Sequence, residues 1–149
     1  MEKEEKIDAY RLLAKQVKAM VESESDSIAN MANIASLIHE TFGFWWTGFY
    51  RVMDDQLVLG PFQGPMACTR IGYGKGVCGT AWKERKTIIV EDVEQFPGHI
   101  ACSSASRSEI VVPIFKSNDV IGVLDIDSEK LATFDEADGE WLEKIVKSL

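Results

Sequence analysis

The chain has 149 residues, 46% hydrophobic and 27% charged, with 24 Asp and Glu against 16 Lys and Arg. That length suits one ordinary domain burying about two-thirds of its unfolded surface, and the formal net charge of −8 argues against nucleic acid or an anionic membrane as partner. "MEKEEKIDAY" has no apolar signal-peptide core and no apolar run is long enough to span a bilayer, so the expected setting is the cytoplasm.

In chain order, "IDAYRLLAKQVKAMV" carries Leu12, Leu13, Val17 and Met20 at helical spacing. After the polar "ESESDS", a second helix starts at an Asp26 or Ser27 cap. It presents Ile28, Met31, Ile34, Ala35 and Ile38 and stops at Gly43. The period then changes to two. "FWWTGFYRV" and "QLVLGPF" flank "MDD" as a hairpin. "GKGVCGTAWKER" is a short helix leading into the strand "TIIVEDV" and the loop "EQFPGHIACSSASR". "SEIVVPIF" and "VIGVLDID" form a last hairpin through "KSND", and "FDEADGEWLEKIVKSL" closes the chain as an amphipathic helix. The order implies an antiparallel sheet with helices packed on one face. A single domain is expected over 1–149, with N-terminal helices at about 6–42, sheet and loops at about 44–128 and a C-terminal helix at about 134–149.

Three cysteines, Cys68, Cys78 and Cys102, are an odd number without a C-x-x-C knuckle. A structural disulfide is not expected in a reducing cytosol. Zinc is disfavoured because only His39 and His99 are available, and just His99 lies near a cysteine. On counting alone the thiols read as core residues. Cys102 departs from that pattern, because it sits among Ser103, Ser104, Ser106 and Ser108 in a polar loop.

The last hairpin yields a register. Ile110, Val112 and Ile114 share one face with Gly122, Leu124 and Ile126 only if Glu109 lies across from Asp127 and Val111 across from Asp125. That parity calls for an odd connection, most simply Ser117-Asn118-Asp119. Glu109, Asp125 and Asp127 then crowd one patch of one sheet face, which raises the pKa of at least one of them. A solvated polar face and the floor of a cleft remain open as readings; Val111 and Val123 in the same patch speak for the cleft. A metal is a further option, although hard cations usually recruit more oxygen ligands than this stretch offers. In "FWWTGFY", Trp46 and Tyr50 fall on one strand face while Trp45 and Phe49 take the other. Such rings beside carboxylates suit a small ligand with an ammonium group and a soft end, although core packing is their commoner role. "GYGKG" around Lys75 lacks the spacing of a phosphate-binding loop and reads as backbone turning before a helix.

"GPFQGPMACTRIGYGKGVCGTAW", "EDVEQFPGHIACSSASRSEIVVPI" and "GVLDIDS" closely resemble the free methionine-(R)-sulfoxide reductases, which have a GAF fold. The resemblance implies an α/β (α+β) GAF-like antiparallel sheet with N- and C-terminal helices on one face. It implies Cys102 as the attacking thiol, Cys68 as its main recycling partner and Cys78 as an alternative one. Glu109, Asp125 and Asp127 would hold the substrate ammonium and assist its sulfoxide oxygen, with Trp46 and Tyr50 as pocket aromatics. Attack on sulfur would leave a sulfenic acid, which condenses to a disulfide and is recycled by external thioredoxin, with no bound cofactor. One position departs from the family's pattern: Ser103 stands where Asp is common after "HIAC". The resemblance leaves room for a homodimer. The alternative is a GAF-type binding module that senses a small ligand or oxidants.

Overall fold

In a computed structural model, which describes residues 1–99 and 105–149, two helices lead into the sheet: α1 (Lys3–Ser23) and α2 (Ser27–Phe42). The strands are β1 (Trp46–Met53), β2 (Gln56–Gln63), β3 (Arg70–Gly72), β4 (Ile88–Val90), β5 (Ser108–Lys116) and β6 (Asp119–Ser128). Helix α3 (Gly76–Glu84) separates β3 from β4, and α4 (Glu136–Val146) follows β6. The strands form one six-stranded antiparallel sheet in the order β3-β2-β1-β6-β5-β4. Among the described residues no helix is long and apolar enough to cross a membrane.

Local chemistry accounts for the helix ends. The Asp26 carboxylate accepts from the Ala29 amide at 2.8 Å, and α2 ends on left-handed Gly43 (φ 67°). Asp135 and Asp138 form a reciprocal capping box at the start of α4. Asp138 is buried and also accepts from the Tyr10 hydroxyl at 2.6 Å and the Lys6 ammonium at 2.8 Å. It thereby ties α4 to α1.

The two sheet faces differ in kind. On one, Ile110, Val112, Ile114, Leu124 and Ile126 meet the apolar stripes of α1, α2 and α4 in a fully hydrophobic core. Helix α3 lies on the other face over β5 and β6, where Val77, Cys78 and Ala81 pack with Tyr50, Val111 and Val123. The helical spacing of α1 and α2 is as expected, but Leu12 is 60% and Ile28 42% exposed. The buried stripe of α1 is instead centred on Tyr10, Leu13 and Val17. The three-residue strand β3 has no counterpart in the sequence reading, being too short to show an alternation.

The β5–β6 register is as derived: Glu109 pairs with Asp127 and Val111 with Asp125. The device that sets it is different. The connection is a two-residue turn, Ser117-Asn118, with both φ positive at 52° and 70°, closed by the Lys116–Asp119 pair. The odd residue is Ile121, bulged between the Ile114–Gly122 and Phe115–Val120 pairs. Trp45 also differs from expectation. It precedes β1, outside the strand alternation, and packs against the same cluster as Trp46 and Tyr50.

Helix α3 approaches the sheet where Gly79 abuts β3. A Cβ on Gly79 would be driven into the Gly72 carbonyl oxygen and stand 3.1 Å from the Gly74 nitrogen, and both are backbone atoms that cannot rotate away. Gly79→Ala should therefore cost about 1–3 kcal/mol, a fall of roughly 3–10 °C in melting temperature. It should also lift Cys78 from the sheet. A thermal melt with unchanged midpoint would contradict this packing.

Candidate functional site

The face under α3 carries a pocket of about 490 Å³, including its open mouth. Alternation along the paired strands builds its floor. Trp46 pairs with Asp127, Gly48 with Asp125 and Tyr50 with Val123 across β1–β6, so the aromatics and carboxylates point the same way. The Trp46 ring lies across Gly48: a Cβ there would come within 2.5 Å of the ring. The indole N–H donates to the Pro65 carbonyl at 3.0 Å, and the ring stacks on Tyr50 and Phe62 with centroids 6.0 and 5.3 Å away. Tyr50 donates its hydroxyl to the Cys68 carbonyl at 2.8 Å. Burial first, then the nearby Asp125, pushes that phenol far up its scale and keeps it a neutral donor.

The three carboxylates are buried: Glu109 is 6%, Asp125 6% and Asp127 8% exposed. This decides for a cleft over a solvated face. Burial raises the Glu109 pKa well above the usual carboxylate range, and the neighbouring Asp125 and Asp127 raise it further. Asp127 is likewise raised by burial and by Asp125, against a hydrogen bond from Ser106 at 2.8 Å. Asp125 is raised by burial, but hydrogen bonds with Glu109 and Cys78 and the nearby His99 pull the other way. Glu109 and Asp127 are thus pushed toward the protonated form by burial and by Asp125, whereas Asp125 is the member whose rise is opposed by hydrogen bonds from Glu109 and Cys78. Cys78 is pushed up by burial and by all three carboxylates, so its thiol stays protonated and is a poor nucleophile. One Asp125 oxygen, Oδ1, is buried without a hydrogen-bond partner among the described residues.

Six of the expected site residues thus meet in one pocket: Trp46, Tyr50, Cys78, Glu109, Asp125 and Asp127. Cys68 is half-buried and disulfide-bonded, with its backbone joined to Tyr50. Cys78 carries a free thiol. The proposed nucleophile Cys102, and Ser103 beside it, lie outside the described residues. Sequence reasoning missed Ser106, His99, Lys75 and the first turn of α3, which also line the pocket. Lys75 does sit between two turning glycines, Gly74 (φ 73°) and Gly76 (φ 60°), as expected, and it faces the site as well. Ser106 could not be told from its neighbours in "CSSASRS".

The GAF domain family model matches residues 27–149. The chain is 45% identical over 145 residues to free methionine-R-sulfoxide reductase of Escherichia coli, covering 97% of this chain and 88% of that one. It is 54% identical over 145 residues to GAF domain-containing protein A of Dictyostelium discoideum, covering 97% and 92%. The X-ray structure of free methionine-R-sulfoxide reductase from Neisseria meningitidis in complex with its substrate superposes with a TM-score of 0.94. It is 53% identical and covers 96% of this chain and 87% of that one.

The raised carboxylates link stability to pH. A group whose folded pKa exceeds its unfolded value stabilises the fold below the unfolded value, and that contribution is lost as pH rises through the folded one. Glu109→Gln removes one such group. The variant should melt above the wild type at pH 8, and the gap should close as pH falls toward about 4, the unfolded carboxylate range. Parallel melting curves of the two proteins across that range would show Glu109 to be unperturbed.

Proposed function

The chain belongs to the GAF-domain family of free methionine-R-sulfoxide reductases, and we propose that it reduces free L-methionine-(R)-sulfoxide to methionine with its own cysteines. The observation that carries this reading is the trio of buried carboxylates under the Trp46–Tyr50 aromatics. A free amino acid is a zwitterion. Its ammonium matches the Asp125 charge, and its carboxylate matches the unpaired amides at the start of α3, where Gly76 and Val77 line the pocket. The sulfoxide end is soft and polarizable and suits the ring faces of Trp46 and Tyr50.

The chemistry needs an acid and a thiolate. A sulfoxide sulfur accepts a nucleophile only when its oxygen is protonated or strongly hydrogen-bonded. Glu109, protonated against Asp125, is suited to that task. The Cys102 thiolate attacks sulfur, the S–O bond breaks, and the oxygen leaves with Cys102 as a sulfenic acid while methionine departs. The Cys68 thiol then displaces water to form a disulfide, and thioredoxin returns both thiols at the cost of its own dithiol. The disulfide-bonded state of Cys68 supports its place in that cycle. Cys78 is buried and protonated, which favours Cys68 as the principal recycling thiol. No bound cofactor enters the scheme, and its setting is a thioredoxin-containing cytoplasm.

Two measurements test the reading. Methionine released from the mixed free epimers should come from R, while N-acetylmethionine sulfoxide should be a poor substrate. Acylation removes the cation and leaves buried charge unpaired, a penalty of several kcal/mol. Brisk reduction of the N-acetyl compound would overturn the role of the carboxylates. In single-turnover assays Cys102→Ser should release no methionine, whereas Cys68→Ser should release about one equivalent and then stall. Steady turnover by Cys102→Ser would remove it as the nucleophile.

A further inference from the structure

The same pocket sets a free thiol that the proposed reduction does not use, Cys78, against two of the carboxylates. Cys78 Sγ and one carboxylate oxygen each of Glu109 and Asp125 all lie within 4.8 Å of one another, and all three residues are buried. Tetrahedral ligands on bonds of 2.0–2.3 Å stand roughly 3.5 Å apart, so only a small contraction separates this group from a coordination sphere. The independent sign is Asp125 Oδ1, a buried acceptor in the pocket with no hydrogen-bond partner among the described residues. Asp127 and His99 line the same cavity and complete the choice of donors. Lys75 also lines the pocket but is exposed, so its ammonium can turn to solvent when a cation enters.

We propose that Cys78, Glu109 and Asp125 form a site for one thiophilic divalent cation, zinc in the first instance, which excludes the substrate ammonium from the same carboxylates. A thiolate beside carboxylates selects zinc or cobalt over magnesium and calcium, which take all-oxygen shells with more ligands. On binding, metal–sulfur and metal–oxygen bonds form while the Cys78 S–H and Glu109 O–H protons pass to solvent. Metal and substrate ammonium then compete for Asp125, so free zinc throttles turnover. The cation site stands on the donor geometry; only this effect on turnover rests on the proposed reductase activity.

Cobalt(II) is the probe. Titrated without added reductant into the disulfide form, in which Cys78 is free, it should give one equivalent of a thiolate-to-cobalt charge-transfer band, chased by zinc. Asp125→Asn keeps every thiol yet should weaken cobalt binding by on the order of a hundredfold, at least the loss typical of an outer-shell change. Cys78→Ser should abolish the band. Circular dichroism checks that both variants are folded. In single-turnover reduction without dithiol, zinc should lower methionine release, and excess sulfoxide should restore it. No band in the wild type, or wild-type cobalt affinity in a folded Asp125→Asn, overturns the site. Zinc inhibition that excess sulfoxide does not relieve overturns the competition. A cobalt band in a protein that forms no methionine would instead overturn the reductase reading and leave the cation site standing.

Discussion

With the turn at Ser117-Asn118 alone, Glu109 would pair with Ile126 rather than Asp127, and would share its face with Leu124 and Gly122. The bulged Ile121 adds the single residue that shifts the pairing beyond it. From that shift follow both faces of the sheet. Isoleucine, valine and leucine meet α1, α2 and α4 on one side, while three carboxylates meet Trp46, Tyr50 and α3 on the other. A register error of one residue would bury the acids in the hydrophobic core and leave no pocket.

The division of the faces lets the molecule hold a costly site. Three buried carboxylates repel one another and have lost water. The structure limits the cost by favouring the protonated forms of Glu109 and Asp127, with Ser106 hydrogen-bonded to Asp127. What remains unfavourable is offset on the opposite face by its large apolar cluster. Within it, Tyr10 is anchored to Asp138 and so joins α1 to α4. Substitutions in the pocket and in that core therefore act on different terms of the same free energy.

Much of this was legible in the sequence because it rests on local rules. Strand parity placed Glu109, Asp125 and Asp127 together, and the Asp26 and Gly43 helix ends followed from capping chemistry. Parity could not separate a three-residue connection from a two-residue turn plus a bulge, since both give the same faces. Helical spacing found the apolar positions of α1 but not the angular centre of its buried stripe, so Leu12 was counted with the core. Trp45 was assigned by extending an alternation one residue beyond the strand that sustains it. His99 and the start of α3 reach the pocket only through tertiary folding, which no short window of sequence records. The raised pKa of Glu109 depends on burial as well as crowding, and that burial comes from α3 covering the sheet, which strand parity does not encode.

The pocket also carries opposite fields at its two sides. The first-turn amides of α3 lie on one side and favour an anion; Asp125 and its neighbours favour a cation on the other. A free amino acid presents both charges on a single carbon, whereas a residue inside a peptide presents neither. On the proposed reading, selection for the free amino acid thus comes from the same groups that position it, without a separate gate against larger substrates. Glu109 extends that economy to the chemistry. On the proposed reading its proton is held by burial and by the neighbouring Asp125, so the proposed ammonium receptor and the proposed acid are two halves of one hydrogen-bonded pair. Anything that neutralises Asp125, whether a substrate ammonium or a metal cation, also lowers the affinity of Glu109 for its proton. On the proposed reading substrate binding tunes the acid at the moment it is needed, and a bound cation would remove it.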